Sequence, residues 1–125
     1  MEIPKNLFYT KEHEWIEFQN DVAIIGITDF AQSQLGDVIF IEFPEIGQML
    51  NSGSSFGEVE AVKTVSDLYA PMSGKVCDVN KELDDTPELV NNDPYGKGWL
   101  IKLNPLNIKE KESLMSGRQY KKFVE

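Results

Sequence analysis

Short apolar runs alternate with clusters of Gly, Pro, Asn, Asp and Ser along this chain, a spacing that predicts many brief strands joined by tight turns. Trp15-Ile16-Glu17-Phe18 and Val22-Ala23-Ile24-Ile25-Gly26-Ile27 flank Gln19-Asn20-Asp21, which predicts a hairpin. Thr28 is placed to cap a short helix to about Leu35, with Asp29 favourable in its first turn and Gly36 suited to the position past its end. Residues 38–43 are β-branched and aromatic and predict a strand that Pro44 ends. Residues 46–50 predict a short strand before a turn at 51–55. Residues 56–60 and 65–70 predict two more around a tip at 61–64. A turn at 71–74 precedes another strand at 75–80. Thr86-Pro87-Glu88 is expected to start a helix with Pro at its first position. A turn at 92–96 precedes the last strand at 99–103. A helical tail over about 105–125 is expected, with Gly117 stopping its first helix near Met115 and the aromatics of residues 120–124 packing back.

Many short strands with Gly and Pro turns predict a mainly β fold, a small sandwich or barrel with peripheral helices. The length of 125 residues predicts one domain, residues 1–125. There is an internal echo. Gly36-Asp37-Val38-Ile39-Phe40-Ile41-Glu42 resembles Gly74-Lys75-Val76-Cys77-Asp78-Val79-Asn80, as two related half-units would.

Charge and composition remove several functions. The formal net charge is -9, so a basic footprint for nucleic acid or for anionic membranes is missing. The single cysteine, Cys77, excludes an intrachain disulfide framework and a Cys-rich zinc site. It falls on a predicted strand without a resolving thiol and reads as a small buried apolar residue. The single histidine, His13, is hard to build into a metal centre or a triad and reads as structural, although Glu12 and Glu14 beside it favour its cation. The N-terminus shows neither a secretory nor a transit pattern, and the cytoplasm is the expected compartment.

The chemistry concentrates in Glu60-Ala61-Val62-Lys63-Thr64. Strand-like residues on either side should project Lys63 from an exposed turn, solvated and open to modification by another enzyme. A surface lysine is ordinarily no more than solvated surface, and its surroundings are what single this one out. Glu60-Ala61-Val62-Lys63, followed by Asp67 and Ala70-Pro71-Met72-Ser73-Gly74, resembles the attachment hairpin of a lipoyl carrier. The whole chain is similar to the H protein family of the glycine cleavage system. The matching segments are His13-Glu14-Trp15, residues 22–29, Ala31-Gln32, residues 35–38, Phe43-Pro44, Gly47, the Lys63 hairpin, Pro94-Tyr95, Gly98-Trp99-Leu100 and residues 120–123. Two positions depart from it: Glu12 and Ala61 stand where the family often has Ser.

The resemblance implies a flattened β-sandwich of the lipoyl- and biotinyl-carrier kind (a barrel-sandwich hybrid) with short peripheral helices. It implies lipoic acid joined to Lys63 by an amide, and a carrier rather than an enzyme. The implied partners are a pyridoxal-phosphate glycine decarboxylase (P protein), an aminomethyltransferase (T protein), a dihydrolipoyl dehydrogenase (L protein) and a lipoyl-attaching enzyme. The compartment would be the bacterial cytoplasm, or the mitochondrial matrix in a eukaryote. A carrier benefits from a cleft that shelters the loaded arm's amine, and Glu14, with Asp67 and Glu12, is the expected set of carboxylates, with Trp15 as an apolar wall; ordinary surface carboxylates and a core role for Trp15 stand equally beside this. Three other readings stand beside this one. A lipoate-relay or redox-linked paralogue would use the same lysine. A biotin carrier usually has Met on both sides of its lysine, whereas Val62 and Thr64 flank Lys63. A hydrolase built on clustered carboxylates would turn over without partners.

Overall fold

The computed structural model describes residues 1–125. β1 (Phe8–Tyr9) pairs with β2 (Glu14–Gln19), which turns back into β3 (Val22–Ile27). Asn20 and Asp21 make that turn, and Asn20 takes the left-handed φ of 55° that its short polar side chain tolerates. Thr28 caps α1 (Asp29–Leu35), its hydroxyl accepting the Ala31 N–H at 3.1 Å, and Gly36 ends the helix at φ 81°. β4 (Val38–Glu42), β5 (Met49–Leu50), β6 (Ser55–Ala61), β7 (Val65–Tyr69) and β8 (Gly74–Val79) follow. Two single-turn helices, α2 (Glu82–Asp85) and α3 (Leu89–Asn92), lead to β9 (Ile101–Pro105). A 3-10 turn at Ile108–Ser113 and α4 (Gly117–Val124) end the chain.

All strand pairs are antiparallel. They form a six-stranded sheet in the order β1-β2-β3-β9-β8-β5 and a three-stranded sheet β4-β6-β7. Strand alternation sends Ile16, Ile25 and Leu103 to the inner face of the large sheet, where they bury against Ile41, Val59 and Leu68 of the small one. Each such side chain contributes about 1.5–3 kcal/mol on burial. The result is the flattened sandwich expected, without a closed barrel.

The same alternation sends Trp15 and Ile24 to the outer face, where a second core forms with Leu7, Tyr9 and Tyr120. Trp15 is therefore core and not a cleft wall: it is buried, and its indole N–H donates to the Pro94 carbonyl at 2.9 Å. Its cross-strand partner must be Gly26, because a Cβ there would lie 2.6 Å from the indole ring.

Several local expectations are corrected. The last strand starts and ends two residues later than expected, and α2 was not foreseen. The helix expected from Pro105 to Met115 is instead a 3-10 turn followed by an extended link, where Tyr9 and Met115 exchange backbone hydrogen bonds. Gly117 starts a helix instead of stopping one. Ser116 and Gln119 form a reciprocal capping box around it. A Cβ on Gly117 would also press to 3.1 Å from the Pro4 carbonyl.

Cys77 is on a strand as expected but only half-buried. β8 has a bulge between Val76 and Asp78, which leaves Cys77 without a partner on β9. The internal echo extends to this defect. β4 is bulged between Val38 and Phe40, at the same offset from Gly36 as the β8 bulge from Gly74.

Candidate functional site

Lys63 sits in the three-residue tip, Val62 to Thr64, between β6 and β7. The Ala61 N–H donates to the Thr64 carbonyl at 2.8 Å, which closes the tip. From its base, the Val62 N–H donates to the Asp37 carbonyl at 3.1 Å, anchoring the tip to the link between α1 and β4. The backbone of the tip is therefore held while the Lys63 side chain is exposed.

A shallow depression lined by Gln34, Leu35, Gly36 and Asp37 adjoins Lys63. Gln34 and Leu35 also line the next groove, of about 320 Å³, so the two adjoin. Phe30, Ala31 and Leu35 of α1 form one wall of that groove, Val59, Ser66 and Leu68 of the small sheet the other, and Glu12 and His13 its far end. α1 has no fully buried residue, so its apolar face is left half-covered along the groove. An exposed lysine whose depression adjoins an apolar groove bordered by a carboxylate suits a long alkyl arm that ends in a polar cargo.

Glu14 was expected at the cleft, but its burial was not foreseen. It is only 2% exposed, on β2, where a solvated surface carboxylate was equally plausible from sequence. Its Oε2 accepts the Tyr69 N–H at 2.8 Å at the free edge of β7. Its Oε1 faces the Thr10 hydroxyl at 3.5 Å, and its own N–H donates to the same hydroxyl at 3.2 Å. Burial pushes its carboxyl up to about 8, over the opposing pull of the Tyr69 N–H. Glu14 and Glu12 line a second cavity of about 200 Å³ with Tyr69 and Pro71, and Glu12 borders the groove as well.

The expected carboxylates are only partly brought together. Glu12 and Glu14 share a cavity. Asp67 does not line it, because alternation along β7 turns Ser66 and Leu68 toward the groove and Asp67 outward. Asp67 instead borders an acidic depression with Glu42 and Glu58, and it reaches the Glu14 side only through Tyr69, whose hydroxyl donates to it at 3.5 Å.

His13 is held at a left-handed φ of 68°. Its Nδ1 lies 2.9 Å from the Tyr120 hydroxyl, which lies 2.7 Å from the Thr28 hydroxyl. The Thr28 N–H closes the circuit onto the His13 carbonyl at 3.0 Å. His13 is thus a strut between the cleft, the α1 cap and α4. Burial lowers its basicity, outweighing Glu12, so the expectation of a favoured cation is corrected. The groove residues of α1, Phe30 and Leu35 above all, were not singled out from sequence. Their one trace there is an apolar pair on a short helix, which does not say what it faces.

Three comparisons with known proteins bear on the chain. The family model described as "Glycine cleavage H-protein" matches residues 7–125. A glycine cleavage system H protein from Carboxydothermus hydrogenoformans is 54% identical over 123 residues, 98% of this chain and 95% of that protein. One from Bacteroides thetaiotaomicron is 49% identical over 99% of this chain and 98% of that protein. The crystal structure of a glycine cleavage system H protein from Mycobacterium marinum superposes with a TM-score of 0.87 at 40% identity, covering 94% of this chain and 95% of that one.

Proposed function

The chain belongs to the glycine cleavage H-protein family, and from that premise we propose that Lys63 is its lipoyl acceptor. The family carries lipoate and works as a shuttle of the glycine cleavage system, not as a catalyst. It moves an aminomethyl group and reducing equivalents between the enzymes of that system. The relatives' names favour this role over a lipoate relay. The observation that carries the assignment to Lys63 is its exposure at a closed, anchored hairpin tip at the mouth of a half-covered apolar groove. When bound through an amide, the arm supplies a dithiolane that carries cargo and electrons; the protein supplies tether, groove and proton control.

The residues divide that work. The Val62 and Ala61 hydrogen bonds hold the tip while Lys63 stays free to move. The α1 face and Leu68 offer the arm apolar cover. Glu14 is held as a neutral acid when the cavity is empty, because burial disfavours its anion. An amine arriving there changes the balance. Glu14 hands it the proton, and the carboxylate and ammonium then stabilise each other by a charge-assisted hydrogen bond, with Glu12 adding negative potential at the rim. Asp67 acts on this pair only by restraining Tyr69.

In this reading residues 1–125 act as one carrier unit whose partners are the decarboxylase, the aminomethyltransferase, the dihydrolipoyl dehydrogenase and a lipoyl-attaching enzyme. No helix is long and apolar enough to cross a membrane. The bacterial cytoplasm is the compartment we assign, in keeping with bacterial relatives.

Intact mass of the protein purified from its host tests the assignment: one lipoyl increment is expected, and digestion should place it on the peptide holding Lys63. Lipoyl on another lysine, or biotin in its place, overturns it. The role of Glu14 is tested separately. Glu14→Gln keeps the shape and an acceptor for the Tyr69 N–H but cannot become an anion. Non-enzymatic ammonia release from the loaded carrier should rise about tenfold, as expected for losing one hydrogen bond to a charged group. Lipoylation should be unchanged. Equal release rates would leave Glu14 as structure alone.

A further inference from the structure

We propose that the exposed apolar collar around Lys63, formed by Ile39, Phe40, Val62 and Val65, is the surface that the lipoyl-attaching enzyme grips. The proposal rests on Lys63 being the acceptor.

The collar is a product of the fold. Phe40, Glu60 and Val65 lie in one cross-strand row of the small sheet, just below the tip, and Val62 lies in the tip itself. The β4 bulge after Val38 falls at the same level and leaves both Ile39 and Phe40 facing solvent. The four side chains are 49%, 54%, 67% and 54% exposed, although all four belong to residue types that ordinarily bury. A cluster of this kind on an acidic domain marks a contact surface.

The reach of the bare lysine decides what covers it. Enzymes that act on the loaded carrier meet the end of a long arm and have room to dock at a distance. The attaching enzyme works on Lys63 before any arm exists. The neutral Nζ attacks the carbonyl of an activated lipoyl acyl donor. The amide C–N bond forms as the bond to the donor's leaving group breaks, and the proton lost by nitrogen departs with that group. For this to happen the donor carbonyl must come within bonding distance of Nζ, so the rim of the enzyme's active site closes over the residues flanking the tip. Those residues are the collar. The occupant is therefore an acyl-transferring enzyme with an apolar rim around its active site.

The test uses unlipoylated carrier and the purified attaching enzyme with its lipoyl donor. Binding is read by calorimetry and transfer by intact mass. Phe40→Ser and Val65→Ser should each weaken binding and raise the apparent KM about tenfold, the usual scale for an anchoring apolar residue at an interface. Val65→Thr keeps the β-branched shape and secures a folded variant; it should show a smaller shift in the same direction. Leu106→Ser, an equally exposed apolar site outside the collar, should change nothing. Unchanged binding in the Phe40 and Val65 variants overturns the proposal, as does an equal loss in Leu106→Ser. Failure of the unsubstituted protein to accept lipoate at Lys63 refutes the acceptor assignment instead, so the two failures are distinct.

Discussion

Replacing Lys63 with Arg is expected to abolish carrier function, bringing a reconstituted glycine decarboxylation assay down to its level without carrier. Arginine keeps the positive charge and the solvation of the tip, but its guanidinium does not deprotonate in water and offers no amine to acylate. The substitution should leave the fold untouched, because the tip is held by backbone bonds of Ala61 and Val62 and not by the Lys63 side chain. Melting temperature and the intact mass without an added group are the paired readouts. Residual activity above the blank would mean that Lys75 or another lysine accepts the arm, and the proposed site would be lost.

The second large effect concerns pH and stability. Glu14 in the folded state is pushed up to about 8, against 4.5 when unperturbed. Between those values the folded chain binds a proton that the unfolded chain has released, so stability must fall as pH rises from about 4.5 to about 8. Glu14→Gln removes this linkage. Its unfolding free energy should match that of the unsubstituted protein near pH 4.5 and exceed it by about 3 kcal/mol near pH 8, a discounted figure for a cavity that admits some water. Chemical denaturation across that range is the measurement. Parallel pH profiles for the two proteins would show that Glu14 titrates normally.

The elements that local chemistry decides were legible in the sequence. The β2–β3 hairpin follows from two apolar runs around Asn20 and Asp21, and α1 from Thr28 and Gly36 at its ends. The tip could be placed because the strand patterns on either side leave only residues 61–64 between them. What escaped depends on distant chain. Glu14 was expected at the cleft but its burial was not, because only the approach of the β7 edge, 55 positions away, buries it. Asp67 was grouped with it because it lies on the strand leaving the Lys63 turn, yet strand alternation turns it to the other face. Gly117 was misread on propensity alone. The Ser116–Gln119 capping pattern outweighs a single glycine's cost, and the close approach of Pro4 gives that glycine a reason to be there. Trp15 followed the same rule in reverse: its place in a motif suggested a site, and its bulk decided for core.

The position of β9 sets the order in which a growing chain can become a protein. β9 lies between β3 and β8, and its Leu103 pairs both with Ala23 and with Val76. Until the ribosome has released residue 105, β3 has an open edge and the large sheet exists only as two unconnected pieces. The β6–β7 hairpin closes locally and can display Lys63 much earlier. Non-local closure of this kind is slow relative to hairpin formation. The β6–β7 hairpin therefore closes while the cavity at Glu14, which Ser113, Leu114 and Met115 help to line, is still unfinished, and a nascent chain exposes Lys63 before that cavity exists.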